Sequence, residues 1–275
     1  MNFFKNIGFL SKLTYNNIKQ YTQKRLSVCS DEITTNSIYW YGHATTVINL
    51  SNTIIVTDPV TCNILGCFKR VVDRPLNLHS QSIDYILLSH GHMDHLNFSS
   101  LLKFSKNITL IVPYGYKRIL NSLGFKKVVV LRDGETYKDE KIKVTSIRTN
   151  HDGRRFYLGI DKESNSYLIE KDNKKVFFAG DTAFTNKFED LKCDVAIMPV
   201  GCYKPDRFSY MHCTPEQSYE MFKNMKCDAM IPVHYKTFKI SLEDFTETYN
   251  KLINFNDPRI KLLDIGKTYK INTLL

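Results

Sequence analysis

The segment His90-Gly91-His92-Met93-Asp94-His95-Leu96 limits what this chain can fold into more than any other. Three histidines and an aspartate fall within six positions, directly after the apolar run Tyr85-Ile86-Leu87-Leu88-Ser89. A run that short reads as a buried strand, so the turn that ends it gathers four potential ligands at one sheet edge. Neutral imidazole suits zinc, and a carboxylate adds charge or bridges two ions.

The same placement recurs along the chain. His43 follows Trp40-Tyr41-Gly42, and Asp58 follows Ile54-Ile55-Val56-Thr57. His151 follows the alternating run that ends at Arg148. Asp181 follows Val176 to Gly180, and His234 follows Met230-Ile231-Pro232-Val233. With the opening turn, six candidate strands carry His or Asp just past their ends. In α/β proteins the C-terminal ends of strands are where sites are built. Only eight histidines are present, so their concentration at such positions is not a matter of abundance.

The intervening pattern predicts an α/β rhythm. Strands are expected at 38–41, 45–50, 53–57, 108–112, 127–131, 141–148, 166–170, 175–179, 194–200 and 229–233. Helices are expected at 114–123 and 215–225, the second with Thr214 as N-cap ahead of Pro215. A third is expected over 241–255, opening on the capping-box pattern Ser241-Leu242-Glu243-Asp244. A hairpin-like segment is expected at 260–271. No low-complexity linker divides the chain, which predicts one domain over 36–275 with two similar halves around one site.

Residues 1–35 read as a helical appendage. Phe3, Ile7, Leu10, Ile18 and Tyr21 recur at roughly helical spacing, with Lys5, Lys12, Lys19, Lys24 and Arg25 between them. Such a helix either packs on the domain or lies on an anionic membrane as a peripheral contact. No run of about 18 apolar residues exists, so no span of a bilayer is expected. Lys5 and Lys12 interrupt any signal-peptide core.

Lys+Arg 38 against Asp+Glu 28 gives a net charge of +10, which suits an anionic partner without choosing one. The seven cysteines include no CxxC pair. An odd number with no such pair predicts reduced thiols in a cytoplasmic protein and no disulfide framework.

His90-x-His92-x-Asp94-His95, followed by single His151, Asp181 and His234, closely resembles the metallo-β-lactamase superfamily over about residues 36–270. Within it the chain looks most like the branch of the N-acyl-phosphatidylethanolamine-hydrolysing phospholipase D and the ascorbate phosphate lactonases. The matching stretches include Trp40 to Thr45, Thr57-Asp58-Pro59, Phe178 to Thr182, Met198 to Gly201, His212 to Gln217 and Pro232 to Phe238.

The resemblance implies a four-layer αββα sandwich with two metal ions between the sheets. His90, His92 and His151 would hold one ion, Asp94, His95 and His234 the other, and Asp181 would bridge them. Zinc is the expected metal from the histidine-rich shell, with manganese or iron as alternatives. Two ions about 3.5–4 Å apart share a water, and the hydroxide so formed attacks without a Ser or Cys nucleophile. Asp58 is expected behind the ligands, accepting the free N–H of one imidazole. His43 either orients the site or satisfies the sheet edge. His212, by resemblance, stands beside the substrate as a general acid or phosphate contact. Arg154, Arg155, Tyr203 and Lys204 are candidates for gripping an anionic substrate.

The expected activity is hydrolysis of a phosphodiester or related ester of a small or lipid molecule. Asp94, Asp181 and His212 are the expected catalytic residues. A lactonase uses the same scaffold. A nuclease would use the +10 charge, although no appended nucleic-acid module is visible. A non-catalytic membrane-associated scaffold would be expected to lose part of the ligand set, which is intact here.

Overall fold

The computed structural model describes residues 3–155 and 163–271, with side chains from residue 8 onward. Five helices and fifteen strands alternate among these residues. The first sheet takes β1 (Ser37–Gly42), β2 (Thr45–Leu50), β3 (Thr53–Thr57), β6 (Tyr85–Leu87), β7 (Thr109–Pro113), β8 (Lys127–Leu131) and β15 (Thr268–Lys270). Their order is β15-β1-β2-β3-β6-β7-β8. The second takes β9 (Thr136–Lys138), β10 (Lys143–Arg148), β11 (Asn165–Lys171), β12 (Lys174–Phe178), β13 (Lys192–Pro199) and β14 (Lys226–Val233), in the order β14-β13-β12-β11-β10-β9. A small hairpin, β4 (Ile64–Leu65) with β5 (Phe68–Lys69), stands apart.

Each sheet is antiparallel on one side and parallel on the other. β3, β6, β7 and β8 run parallel, as do β12, β13 and β14. Parallel strands need both faces covered, which is why their sequences are continuous apolar runs. Period-two alternation decides which side chain faces which layer. Ile48, Ile55, Leu87 and Ile111 of the first sheet join Val144, Tyr167, Phe178 and Ile197 of the second in one core. Val47, Val56, Ile86 and Leu110 point the other way, onto α2 (Phe98–Leu101) and α3 (Lys117–Ser122), through Leu101 and Leu120. α4 (Pro215–Asn224) covers the second sheet with Met221 and Phe222, and α5 (Phe245–Asn254) packs against α4. The result is the expected αββα sandwich. Thr214 caps α4 as expected, in a full capping box with Gln217.

Four details depart from the sequence reading. α3 starts at Lys117 and not Tyr114. α5 starts at Phe245 behind an Asp244 cap, because Ser241 and Glu243 are bonded to each other and Glu243 also accepts the Cys202 N–H at 2.5 Å. The 260–271 segment is no hairpin. Ile260 bridges to Met230, while β15 returns to pair antiparallel with β1. The expectation of all-reduced thiols is corrected as well. Cys193 and Cys227 are register partners on β13 and β14 and form a disulfide.

Helix α1 (Phe3–Thr22) lies over one end of the sandwich. Among its described side chains Leu13 and Asn17 are buried, and Asn17 donates to the Lys239 carbonyl at 2.9 Å. Lys69 caps its C-terminal carbonyls at Gln20 (3.0 Å) and Gln23 (2.5 Å). No helix among the described residues is long and apolar enough to cross a membrane.

Candidate metal centre

The turn after β6 is built to hold its side chains still. His95 and Leu96 donate to the His92 carbonyl at 3.0 and 2.8 Å, and Asn97 caps α2 directly afterwards. The Gly91 N–H reaches the Gly153 carbonyl at 3.0 Å, and Tyr116 hydroxyl donates to that same carbonyl. A Cβ at Gly91 would collide with the Tyr116 ring and hydroxyl, so this approach requires glycine. Arg155 donates to the Gly91 and Leu96 carbonyls at 3.1 and 2.7 Å and stacks on Phe98.

Nine side chains from both sheets converge in four overlapping groups among the described residues; the seven expected ligands fall into two sets joined by Asp181, with His43 and His212 grouped beside them. In one, His151 Nε2 lies 3.2 Å from both His90 Nε2 and His92 Nδ1. In the other, Asp94 Oδ2 lies 3.6 Å from His95 Nε2 and 3.5 Å from His234 Nε2, and the two imidazoles are 3.1 Å apart. Asp181 groups with members of both clusters and lies 3.1 Å from His95 and 3.2 Å from His234.

The arrangement fits a cation. His151 Nδ1 is 2.7 Å from the Met211 carbonyl, which only accepts, so Nδ1 bears the hydrogen and Nε2 turns a lone pair inward. Ser89 hydroxyl donates to Asp58 at 2.6 Å and therefore accepts from His90 Nδ1 at 2.9 Å, which leaves the His90 Nε2 lone pair facing that of His151. Burial and neighbouring imidazoles push His90 and His151 well below the usual histidine range, and burial lowers His92 too. Three neutral imidazole nitrogens crowded together repel unless positive charge sits among them. Both oxygens of Asp181, 1% exposed, lack a well-aligned hydrogen bond. Burial alone would raise Asp94 and Asp181, but His95 beside the first and His234 and His95 beside the second hold both carboxyls well below their ordinary range. Burial would likewise lower His234, yet Asp181 raises it to about 9.

Around these donors stands a rigid second ring of contacts. Asp58, fully buried, accepts from His95 Nδ1 at 2.7 Å, from Ser89 N–H at 2.7 Å and from Ser89 hydroxyl at 2.6 Å. His43 Nε2 lies 3.1 Å from Asp94, and its ring packs 4.1 Å from that of His234. Burial drives His43 down to about 3. His43, Asp58 and His234 sit in left-handed backbone, with φ of 55°, 35° and 68°. Such residues cost about 1–3 kcal/mol each and persist where surroundings over-determine them. Arg70 is fully buried behind His43 and donates to the Tyr41 carbonyl at 3.0 Å between the Tyr41 and Phe238 rings.

The expected substrate grips are engaged elsewhere. Arg154 forks onto Asp152 with contacts of 2.6–3.0 Å. Arg155 holds the turn, as described. Tyr203 is buried with its hydroxyl on Thr248 at 3.1 Å, and Lys204 pairs with Glu247 at 2.7 Å, both turned toward α5. His212 does reach the centre: Nδ1 is 3.5 Å from Asp181 Oδ2, and burial lowers it to about 4.

The centre opens into a cleft of about 240 Å3. His92, Asp94 and His212 form its polar end, and Phe9, Leu13, Phe68, Met93, Phe208 and Ile240 line the rest. No lysine or arginine lines it among the described residues. Sequence reading missed this wall because Phe9 and Leu13 lie off the apolar stripe of α1. A larger groove of about 650 Å3 lies at the opposite ends of β6 and β7, beside Asp84 and Asp139.

The sandwich, with a histidine–aspartate centre between its sheets, defines a class. The model of the beta-lactamase superfamily domain matches residues 53–235, and the chain belongs to that family. A metal-dependent hydrolase of Staphylococcus carnosus is 26% identical over 243 residues, covering 85% of this chain and 98% of that one. The N-acyl-phosphatidylethanolamine-hydrolyzing phospholipase D 1 of Caenorhabditis elegans is 26% identical over 255 residues, covering 82% of this chain and 71% of that one. An uncharacterized protein of Mycobacterium tuberculosis is 23% identical over 81% of this chain, which spans only 64% of that relative's length. Among solved structures, a possible metal-dependent hydrolase from Veillonella parvula shares the fold, with a TM-score of 0.71 at 17% identity over 86% of this chain and all of that one.

Proposed function

We propose that the protein hydrolyses a phosphodiester or related ester whose substituent is apolar, using two divalent ions. The observation that carries this reading is the cleft: its apolar walls end at a dense cluster of metal donors, and no lysine or arginine lines it among the described residues. His90, His92 and His151 would bind one ion and Asp94, His95 and His234 the other, with Asp181 between them. Zinc suits this donor set. When bound, the ions supply Lewis-acid polarisation of the ester oxygen and acidify water toward neutral pH.

The chain's own residues do the rest. Asp58 and the Met211 carbonyl accept from Nδ1 of His95 and His151, which leaves Nε2 of each ring as the nitrogen turned toward a metal ion. Asp181 offers a buried carboxylate to orient the attacking water. His212, neutral at pH 7 because burial lowers it to about 4, serves as a hydrogen-bond donor to a substrate oxygen or the leaving group. Phe9, Leu13 and Phe68 hold the apolar substituent and exclude water.

The test pairs metal quantification with a panel of phosphodiesters and lactones bearing long, short or no acyl chains, and RNA. Stoichiometric metal and a kcat/KM that rises with chain length are expected, with Asp94→Ala and Asp181→Ala reducing turnover by about a thousandfold or more. A metal-free active chain, or preference for RNA or for chain-free substrates, would overturn the reading.

A further inference from the structure

Helix α1 leaves Leu10, Ile18 and Tyr21 of the apolar stripe that its sequence displays unburied. Phe9, Leu13 and Asn17 face the protein, and Phe9 and Leu13 line the cleft. Leu10, Ile18 and Tyr21, rotated away from that face, are 57%, 61% and 48% exposed. Tyr15 beside them is 69% exposed. Tyr210, at the rim of the same cleft, is 68% exposed, and Phe208 in its loop packs edge-on against Phe9 at 5.2 Å. Large apolar side chains grouped on one exposed helix face mark an interaction surface.

Charge identifies the partner. Residues 1–30 contain no Asp or Glu, and Lys12, Lys19 and Lys24 are all exposed. A helix with an apolar outer stripe flanked by lysines and carrying no acidic residue has the chemistry that lies in the interface of an anionic bilayer. A protein partner buried on the same face would have to leave these lysines paired with its own carboxylates. A bilayer of acidic lipid supplies both the apolar layer and the negative charge along the whole helix.

We infer that the outer face of α1 docks on an anionic lipid surface and sets the cleft mouth, rimmed by Phe9 and Tyr210, against that surface. The inner face of the helix then forms the wall along which an apolar substituent passes to the metal donors. The inference goes beyond the hydrolase reading and is tested without turnover.

The experiment is co-sedimentation of the full chain with vesicles of phosphatidylglycerol and phosphatidylcholine, or of phosphatidylcholine alone. Strong binding to the anionic vesicles, weakened severalfold by 0.5 M salt, is expected. Leu10→Ser/Ile18→Ser should reduce the partition constant on the order of tenfold or more. Lys12→Gln should reduce it roughly fivefold. These positions are exposed, so circular dichroism and metal content should stay unchanged. Equal binding by the variants, or none by the native chain, would overturn the inference. So would a shift from dimer to monomer in the Leu10/Ile18 variant without any change in vesicle binding, which would assign the stripe to a second copy. Either failure leaves the metal quantification and substrate panel intact as tests of the hydrolase reading.

Discussion

At the scale of the residue, the centre depends on groups that never touch substrate. Asp58 is the clearest. It reaches His95 across the end of the first sheet while tying down Ser89 by both backbone and hydroxyl. Ser89 in turn fixes the tautomer of His90. One carboxylate therefore governs a donor from each cluster. Asp58→Asn is expected to weaken metal affinity about 10- to 100-fold, measured by competition with a chromogenic chelator, while the fold persists. Unchanged affinity would remove Asp58 from that role. Arg155 shows the reverse lesson. A charge near a metal turn suggests a substrate grip, yet its guanidinium is spent on the Gly91 and Leu96 carbonyls.

At the scale of the element, the two sheets are stapled by Asp139. It ends β9 of the second sheet and accepts hydroxyl hydrogens from Tyr137 and from Tyr85 of β6, both at 2.6 Å. Backbone N–H groups of Lys141 and Ile142 donate to its other oxygen at 2.9 and 3.0 Å. Burial opposes the charge, but these donors outweigh it and lower the carboxyl to about 2. A carboxyl held lower in the folded than in the unfolded chain stabilises above its unfolded value of about 3.9. That contribution fades as pH falls toward 2. Asp139→Asn should cost about 1 kcal/mol at neutral pH after solvent screening, with the gap to the native chain closing between about pH 4 and pH 2 in urea titrations. A pH-independent gap would assign the loss to packing.

Elements also show what was legible in the sequence. Strand ends carrying His or Asp could be read directly, because burial forces apolar runs and the ligands break them. His90, His92, Asp94, His95, His151, Asp181 and His234 stand at such ends, as do His43 and Asp58, and the structure brings the first seven together in overlapping groups with His43 and His212. The docking face of α1 could not be read. Periodicity reports a stripe but not which neighbour claims it, and here Leu65, Phe68 and Phe208 claim Phe9 and Leu13 instead. Ser241-Leu242-Glu243-Asp244 misled for a related reason. Glu243 is drawn to the backbone of Cys202 and Lys204, more than thirty residues away, so the helix starts later. The pairing of Cys193 with Cys227 depends on the register of two parallel strands, which spacing alone does not encode.

At the scale of the whole molecule, a covalent link joins distant parts of the chain, and bound metal would add others. The Cys193–Cys227 disulfide closes a loop with a sequence separation of 34. Reduction should lower the unfolding free energy by about 2–4 kcal/mol in denaturant melts, and thiol titration of the unfolded, unreduced chain should count five thiols. Seven would contradict the bond. Metal removal should act more broadly. A ligand at about a thousand times its Kd contributes about 4 kcal/mol, so chelation should lower Tm on the order of 8 °C, read by differential scanning calorimetry. An unaltered Tm would separate the centre from stability.

Neither donor cluster is complete within one sheet. His90 and His92 come from the end of β6 and His151 from the end of β10; Asp94 and His95 are likewise completed by His234 at the end of β14. Each ion would thus act as a tie rod between two plates, adding to polar links such as Tyr85 hydroxyl to Asp139 and Tyr167 hydroxyl to the Leu88 carbonyl in fixing the gap between the layers. A small widening of that gap would pull the donors of both ions apart together. Occupancy of one position would therefore favour occupancy of the other, and the protein would lose its metals as a pair and not in sequence.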